Sequence, residues 1–178
     1  MTTTVRSAGV LLLGFGLLVL QSAAATVLSL HVLAPNLLLP IVIFLGVSPD
    51  VHIVRGAVIS FVLGYLLDAF CGNLMSLQTF VLVATFMVAR GAGLRLFLRG
   101  PLFQILLTFL VGMLAGGTIL ALRAIFESLS PFPASIWPTA TSLVGASLLT
   151  ALAAPLVFLA VRRIDTLVLR RREEASPP

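Results

Sequence analysis

The chain has 178 residues, 60% of them hydrophobic and 10% charged, with a formal net charge of +5 and a mean hydropathy of +1.18. A soluble domain carries about 25% charged residues with which to coat its core, so this composition excludes a soluble enzyme, a disordered chain and a secreted disulfide scaffold, and implies lipid as the solvent. All eleven cations are Arg. They stand at the ends of apolar runs without interleaved aromatics, which argues against nucleic acid, and one Cys with two scattered His makes neither a disulfide nor a metal-ligand set.

The expected fold class is all-α: a polytopic integral membrane protein of about six transmembrane helices in a single domain. The predicted spans are 8–30, 36–47, 56–71, 74–89, 101–122 and 138–161, followed by a basic cytoplasmic tail at 162–178. The first segment, with Arg6 and Ala23-Ala24-Ala25, imitates a signal peptide. Its apolar stretch exceeds the ~7–15 residues of a signal core and matches the ~20 that span a bilayer, so a retained helix is expected. The second is short and interrupted by Pro40; the expectation is two short spanning helices, one kinked, rather than a re-entrant hairpin that would push Asp50, His52 and Arg55 into hydrocarbon. The fifth carries a Gly112/Gly116 ridge, and the sixth a Ser142, Ala146, Thr150, Ala154 ridge beside Pro155, where a kink is expected.

Six spans place both termini and the loops at 48–55 and 90–100 on one side. Ten of the eleven Arg then share that side and Arg123 alone faces the other, which makes the ten-Arg side cytoplasmic by the positive-inside rule. The expected location is therefore a cytoplasmic membrane, with Arg90, Arg95, Arg99, Arg170, Arg171 and Arg172 on the basic inner face. The segment Arg123 to Trp137 reads as an interfacial loop in the aromatic belt, and the Arg170–Arg172 run as a topology anchor with an affinity for anionic lipid or an acidic partner.

Asp68 is the one acid well inside an apolar segment, at an insertion cost of about 2.5–3.5 kcal/mol. Gly56, Ser60, Gly64, Asp68 and Gly72 follow at spacing four, which lines small residues along one ridge and lets a neighbouring backbone approach. The residues alone leave three roles open for Asp68: a latch at an interface, a packing residue bonded to Gln78, Asn73 or a nearby hydroxyl, and an ion carrier. Gln104, Thr108, Thr118, Thr141 and Thr150 offer a polar lining, although hydroxyls in membrane helices more often bond backbone or a neighbouring helix. With no nucleophile beside a base and no phosphate loop, no enzyme activity and no cofactor are expected.

Pro35-Asn36-Leu37-Leu38-Leu39 and the stretch from Gly64 to Phe80 together resemble the rod shape-determining membrane protein MreD family. Pro35-Asn36-Leu37-Leu38-Leu39 is similar to the opening of that family's second segment, and GYLLDAFCGNLMSLQTF, Gly64 to Phe80, resembles its Gly-rich third helix with an Asp, a Gly four residues later and a tight turn. Pro35, Gly64, Asp68 and Gly72 match by position. Asn36 stands where the family usually has Asp, and Ser76 where a Gly is common. The resemblance covers roughly residues 35 to 80; elsewhere only the architecture is similar. It implies a non-enzymatic scaffold or regulator of the cell-elongation (rod) complex in the bacterial inner membrane. Such a protein binds the single-span partner MreC, and through it the MreB filament and the glycosyltransferase–transpeptidase pair, to support side-wall peptidoglycan synthesis and rod cell shape. On that reading the third-helix ridge, with Pro35 and Asn36, positions a partner's helix. The alternative is the membrane-embedded substrate-binding subunit of an energy-coupling-factor vitamin transporter, a class the family is thought to resemble in fold.

Overall fold

The computed structural model describes residues 2–27, 35–49, 51–71, 76–93, 101–126 and 136–174. They form six helices: α1 (Thr2–Val27), α2 (Leu38–Val47), α3 (Ile53–Cys71), α4 (Leu77–Gly93), α5 (Pro101–Phe126) and α6 (Ile136–Glu174). The all-α expectation therefore holds for the described residues. Every predicted segment carries a helix, but four of the described helices are long and apolar enough to cross a membrane: Arg6–Ala23, Ile53–Phe70, Leu102–Leu122 and Ala140–Ile164. At ~1.5 Å per residue, the 10 residues of α2 reach about 15 Å, half of a ~30 Å hydrocarbon core.

This short helix is the centre of the bundle. Its sequence is apolar on every side, the pattern of a fully buried helix, and Leu38, Leu39, Ile41, Val42, Ile43 and Leu45 are all buried. It packs against each of the other five helices. Pro40 does not kink it. The proline is the third residue of α2, in a first turn whose N–H groups have no intrahelical partner in any case. Asn36 lies just before the helix rather than in it.

Around α2, α3 pairs with α4 and α5 with α6. Phe86, Leu63 and Leu82 pack with α2 in one core cluster, and Phe158, Val111 and Ala154 in a second. The lower end of α2 is closed by side chains. Ser48 Oγ donates to the Phe44 carbonyl at 2.8 Å, and Arg90 Nη1 donates to the Ser48 carbonyl at 2.7 Å. The loop after α2 and the end of α4 therefore lie together, as an arrangement with residues 48–55 and 90 on one side requires.

The sixth helix departs most from expectation. It has 39 residues, runs on through Pro155, and is about 58 Å long. Residues 162–174 of the predicted tail are its continuation, so the basic segment is a helical extension and not a loose chain. On the fifth, helix continues to Phe126, which shortens the predicted interfacial loop to residues outside those described. The outward faces carry Leu12, Leu102 and Leu156, each 70% exposed or more. Apolar surface on that scale needs a lipid solvent or a protein partner.

Candidate functional site

The Asp68 carboxylate lies one turn before the end of α3 and is buried, at 6% exposure. Its Oδ1 accepts from the Gln78 N–H at 3.0 Å. Its Oδ2 accepts from the Thr79 N–H at 3.0 Å and from the Thr79 hydroxyl at 2.6 Å. Gln78 and Thr79 are the second and third residues of α4, so an acid on one helix caps the next. The first N–H groups of a helix have no intrahelical acceptor and carry a partial positive charge. In a membrane no water supplies what they lack. The carboxylate satisfies them, and their charge-assisted bonds offset the cost of burying it.

Glycine makes the approach close enough. A Cβ on Gly64 would stand 2.5 Å from Thr79 Cα and 3.2 Å from Thr79 N, so α4 starts directly against the bare backbone of α3. One turn earlier Ser60 Oγ donates to the Gly56 carbonyl at 2.8 Å, and a Cβ on Gly56 would enter the Phe86 ring. Gly56, Ser60, Gly64 and Asp68 thus form one continuous contact with α4. The ridge is filled by the chain's own next helix, and a partner's helix cannot lie in it. Gly72 is outside the described residues.

Ser76 starts the turn into α4 with φ 78°, and its carbonyl accepts from the Phe80 N–H at 3.0 Å. The left-handed conformation explains why glycine suits this position. It costs an L-residue about 1–2 kcal/mol, against which glycine loses more chain entropy on folding, about 0.5–1 kcal/mol. Ser76→Gly is therefore expected to raise stability by about 0.5–1 kcal/mol, read as a higher midpoint of thermal unfolding in detergent.

The start of α2 is capped in the same manner from three directions. The Asn36 N–H donates to Thr150 Oγ1 of α6 at 3.0 Å, the Leu37 N–H to Gln21 Oε1 of α1 at 3.0 Å, and the Leu38 N–H to Asn36 Oδ1 at 3.2 Å. Asn36 needs only an acceptor oxygen here, which the amide supplies as a carboxylate would. Pro35 precedes this cap and is half-buried. Thr150 also donates to the Ala146 carbonyl at 2.8 Å, and Thr118 to the Leu114 carbonyl at 2.8 Å. These two expected liners of a polar cavity are thus bonded to their own helices. Thr108 is fully buried, and its hydroxyl has no partner among the described residues.

Both short helices therefore start inside the bundle. Asp68 is thirteen residues beyond Arg55 and Thr150 thirteen before Arg163, each about 20 Å of helix. Thr79 is eleven before Arg90, about 16 Å. The two sets of caps stand at similar depth from the basic end. Gln78 was within reach of sequence reasoning as a partner of Asp68. So was a nearby hydroxyl, which Thr79 supplies; Gln21 was not, because nothing local marks a side chain as the cap of another helix.

The glycine ridge of α5 packs on α6, though not on the predicted Ser142–Ala154 ridge: a Cβ on Gly112 would stand 3.4 Å from Ser147 Cβ, and one on Gly116 would enter the Leu143 side chain. Arg90 closes α2, Arg170, Arg171 and Arg172 fall on the last turns of α6, and Arg95 and Arg99 lie outside the described residues. Among the described residues no group of three or more His, Cys, Asp or Glu is placed to hold a metal ion. One apolar cleft between α4 and α5 is lined by Ala84, Thr85, Val111 and Thr118, with a volume of about 70 Å³.

Fold and site together define, among the described residues, an all-helical protein with four helices long and apolar enough to cross a membrane, in which Asp68, Gln21 and Thr150 cap the starts of its own shorter helices. No protein-family model, curated protein or solved structure matches the chain.

Proposed function

We propose that this chain is a non-enzymatic scaffold of the bacterial cell-elongation (rod) complex, an MreD-type protein of the inner membrane with both termini in the cytoplasm. It binds a single-span MreC-like partner. Through that partner it is joined to the MreB filament and to the glycosyltransferase–transpeptidase pair that builds side-wall peptidoglycan. The observation that carries this reading is the use made of Asp68. The acid in the family-like motif spends both oxygens on the start of α4, so the motif serves architecture and leaves its one buried acid no free oxygen for ion transport. Pro35 and Asn36, the other half of the resemblance, stand at the cap of the central helix.

The test is to tag the C-terminus, purify the chain gently from native membranes and identify what accompanies it. Recovery of a single-span coiled-coil protein with wall-synthesis enzymes is the expected result. Recovery of a transmembrane coupling protein with two ATPases, or of a bound vitamin, would replace the scaffold with the substrate-binding subunit of a vitamin transporter.

A further inference from the structure

Among the described residues the α3–α4 pair touches the α5–α6 pair directly only where α4 meets α5. The cleft of about 70 Å³ lies on that joint. Six of its eight lining residues are Val, Ala or Leu, and the other two are Thr85 and Thr118. Val81, Thr85, Val111 and Ala115 form a buried floor, while Leu114 and Thr118 stand exposed at the rim.

Thr85 is the one polar residue on that floor. It is 6% exposed, and its hydroxyl makes no hydrogen bond to any described residue. Thr118 and Thr150 turn their hydroxyls back to the carbonyl four residues earlier; Thr85 does not. The Thr108 hydroxyl also lacks a partner, but it is sealed in the interior, whereas Thr85 lines a cleft with an exposed rim. Helix α4 ends at Gly93 and α5 starts at Pro101, so the short connection makes them antiparallel. Side chains lean toward the N-terminus of their own helix. Thr85 therefore leans toward the level of Val81 and Thr118 toward that of Leu114, and in antiparallel helices the two converge across the cleft. Thr118 donates its proton to the Leu114 carbonyl at 2.8 Å, and its oxygen can still accept.

We infer that the floor of the α4–α5 cleft is a binding site for ordered water, which accepts from the Thr85 hydroxyl and donates to the Thr118 hydroxyl oxygen. The water joins the two helix pairs at a place where the other lining residues are apolar. Size and chemistry select this occupant. A volume of about 70 Å³ is less than half of the ~150 Å³ that takes a benzene ring, and several times the ~10–15 Å³ that one water needs. A helix or an aromatic ring is too large. The end of a lipid chain fits by volume but leaves the Thr85 hydroxyl unmatched, and an unmatched buried hydroxyl costs more than holding a water in place. The site stands apart from the scaffold reading, which uses neither Thr85 nor Thr118.

Water-edited solid-state NMR on the full-length chain in lipid vesicles, isotope-labelled at threonine, is the direct test. Magnetisation from water should reach Thr85 several-fold faster than Thr150, which is 3% exposed and bonded to its own helix. Thr85→Val keeps the shape and removes the hydroxyl, and should lower the midpoint of thermal unfolding by about 2–4 °C. Thr85→Ser, which keeps the hydroxyl, should stay near the unmodified value. The double variant Thr85→Val/Thr118→Val should fall no further than the lower of the two single variants, since both break the same bridge. Transfer to Thr85 no faster than to Thr150, with contacts to lipid methylene protons in its place, would overturn the inference in favour of an acyl chain. An unchanged midpoint with Thr85→Val, or additive losses in the double variant, would overturn it as well.

Discussion

Asp68→Leu should destabilise the protein by about 3–5 kcal/mol, the summed cost of leaving several buried donors without an acceptor at about 1–3 kcal/mol each. The substitution keeps the branching at Cγ and improves the transfer of the side chain into lipid, although the larger Leu also crowds a buried site. A simple hydropathy argument would therefore forecast a gain. The geometry forecasts the opposite, because the Gln78 N–H, Thr79 N–H and Thr79 hydroxyl all lose the same carboxylate. Thermal unfolding in mild detergent and steady-state membrane abundance should both fall. Asp68→Asn, which keeps one acceptor oxygen, should lie between. A Leu variant that unfolds at the unmodified temperature would show that Asp68 does not hold the start of α4. Any loss of partner binding by this variant has to be normalised to folded protein, since the acid acts first on the hairpin.

Gly64→Ala is expected to cost about 1–3 kcal/mol, the range for forcing one methyl group into a packed contact. It belongs at the upper end. The added carbon would meet Thr79 Cα and N, which are backbone atoms and move only if α4 moves. Displacing α4 also stretches the bonds to Asp68, so the two substitutions share one mechanism. In the double variant Gly64→Ala/Asp68→Leu the loss should be smaller than the sum of the single losses by at least about 0.5 kcal/mol, the coupling seen between residues in one network. Gly117→Ala is the control: nothing lies within 4 Å of its Cβ position, and its effect should stay within about 0.5 kcal/mol. Equal effects at Gly64 and Gly117 would mean that α3 and α4 are not in close contact at Thr79.

The two short helices show why part of this structure could not be read locally. For α1, α5 and α6, length and apolarity suffice, because a helix that spans a bilayer satisfies its backbone within itself and needs only lipid outside. For α2 the same reasoning treats Pro40 as an interruption. In the bundle the proline is an ordinary first-turn residue, and the helix survives at 10 residues because five other helices surround it. The ridge at spacing four was legible, including the close approach it permits. Which helix makes that approach was not, since a glycine accepts a neighbour from its own chain as readily as one from a partner.

Composition, the length of the apolar runs and the side on which Arg collects are properties of the residues themselves, and they determined an all-helical membrane protein with a basic face. What the tertiary structure alone decided is where the starts of the short helices find their hydrogen bonds. Asp68 caps α4 from α3, and Gln21 and Thr150 cap α2 from α1 and α6, across separations of up to 114 residues. No local pattern records such a bond. A buried N–H must be paired in a medium without water, and any acceptor that the folded bundle brings within about 3 Å will do it.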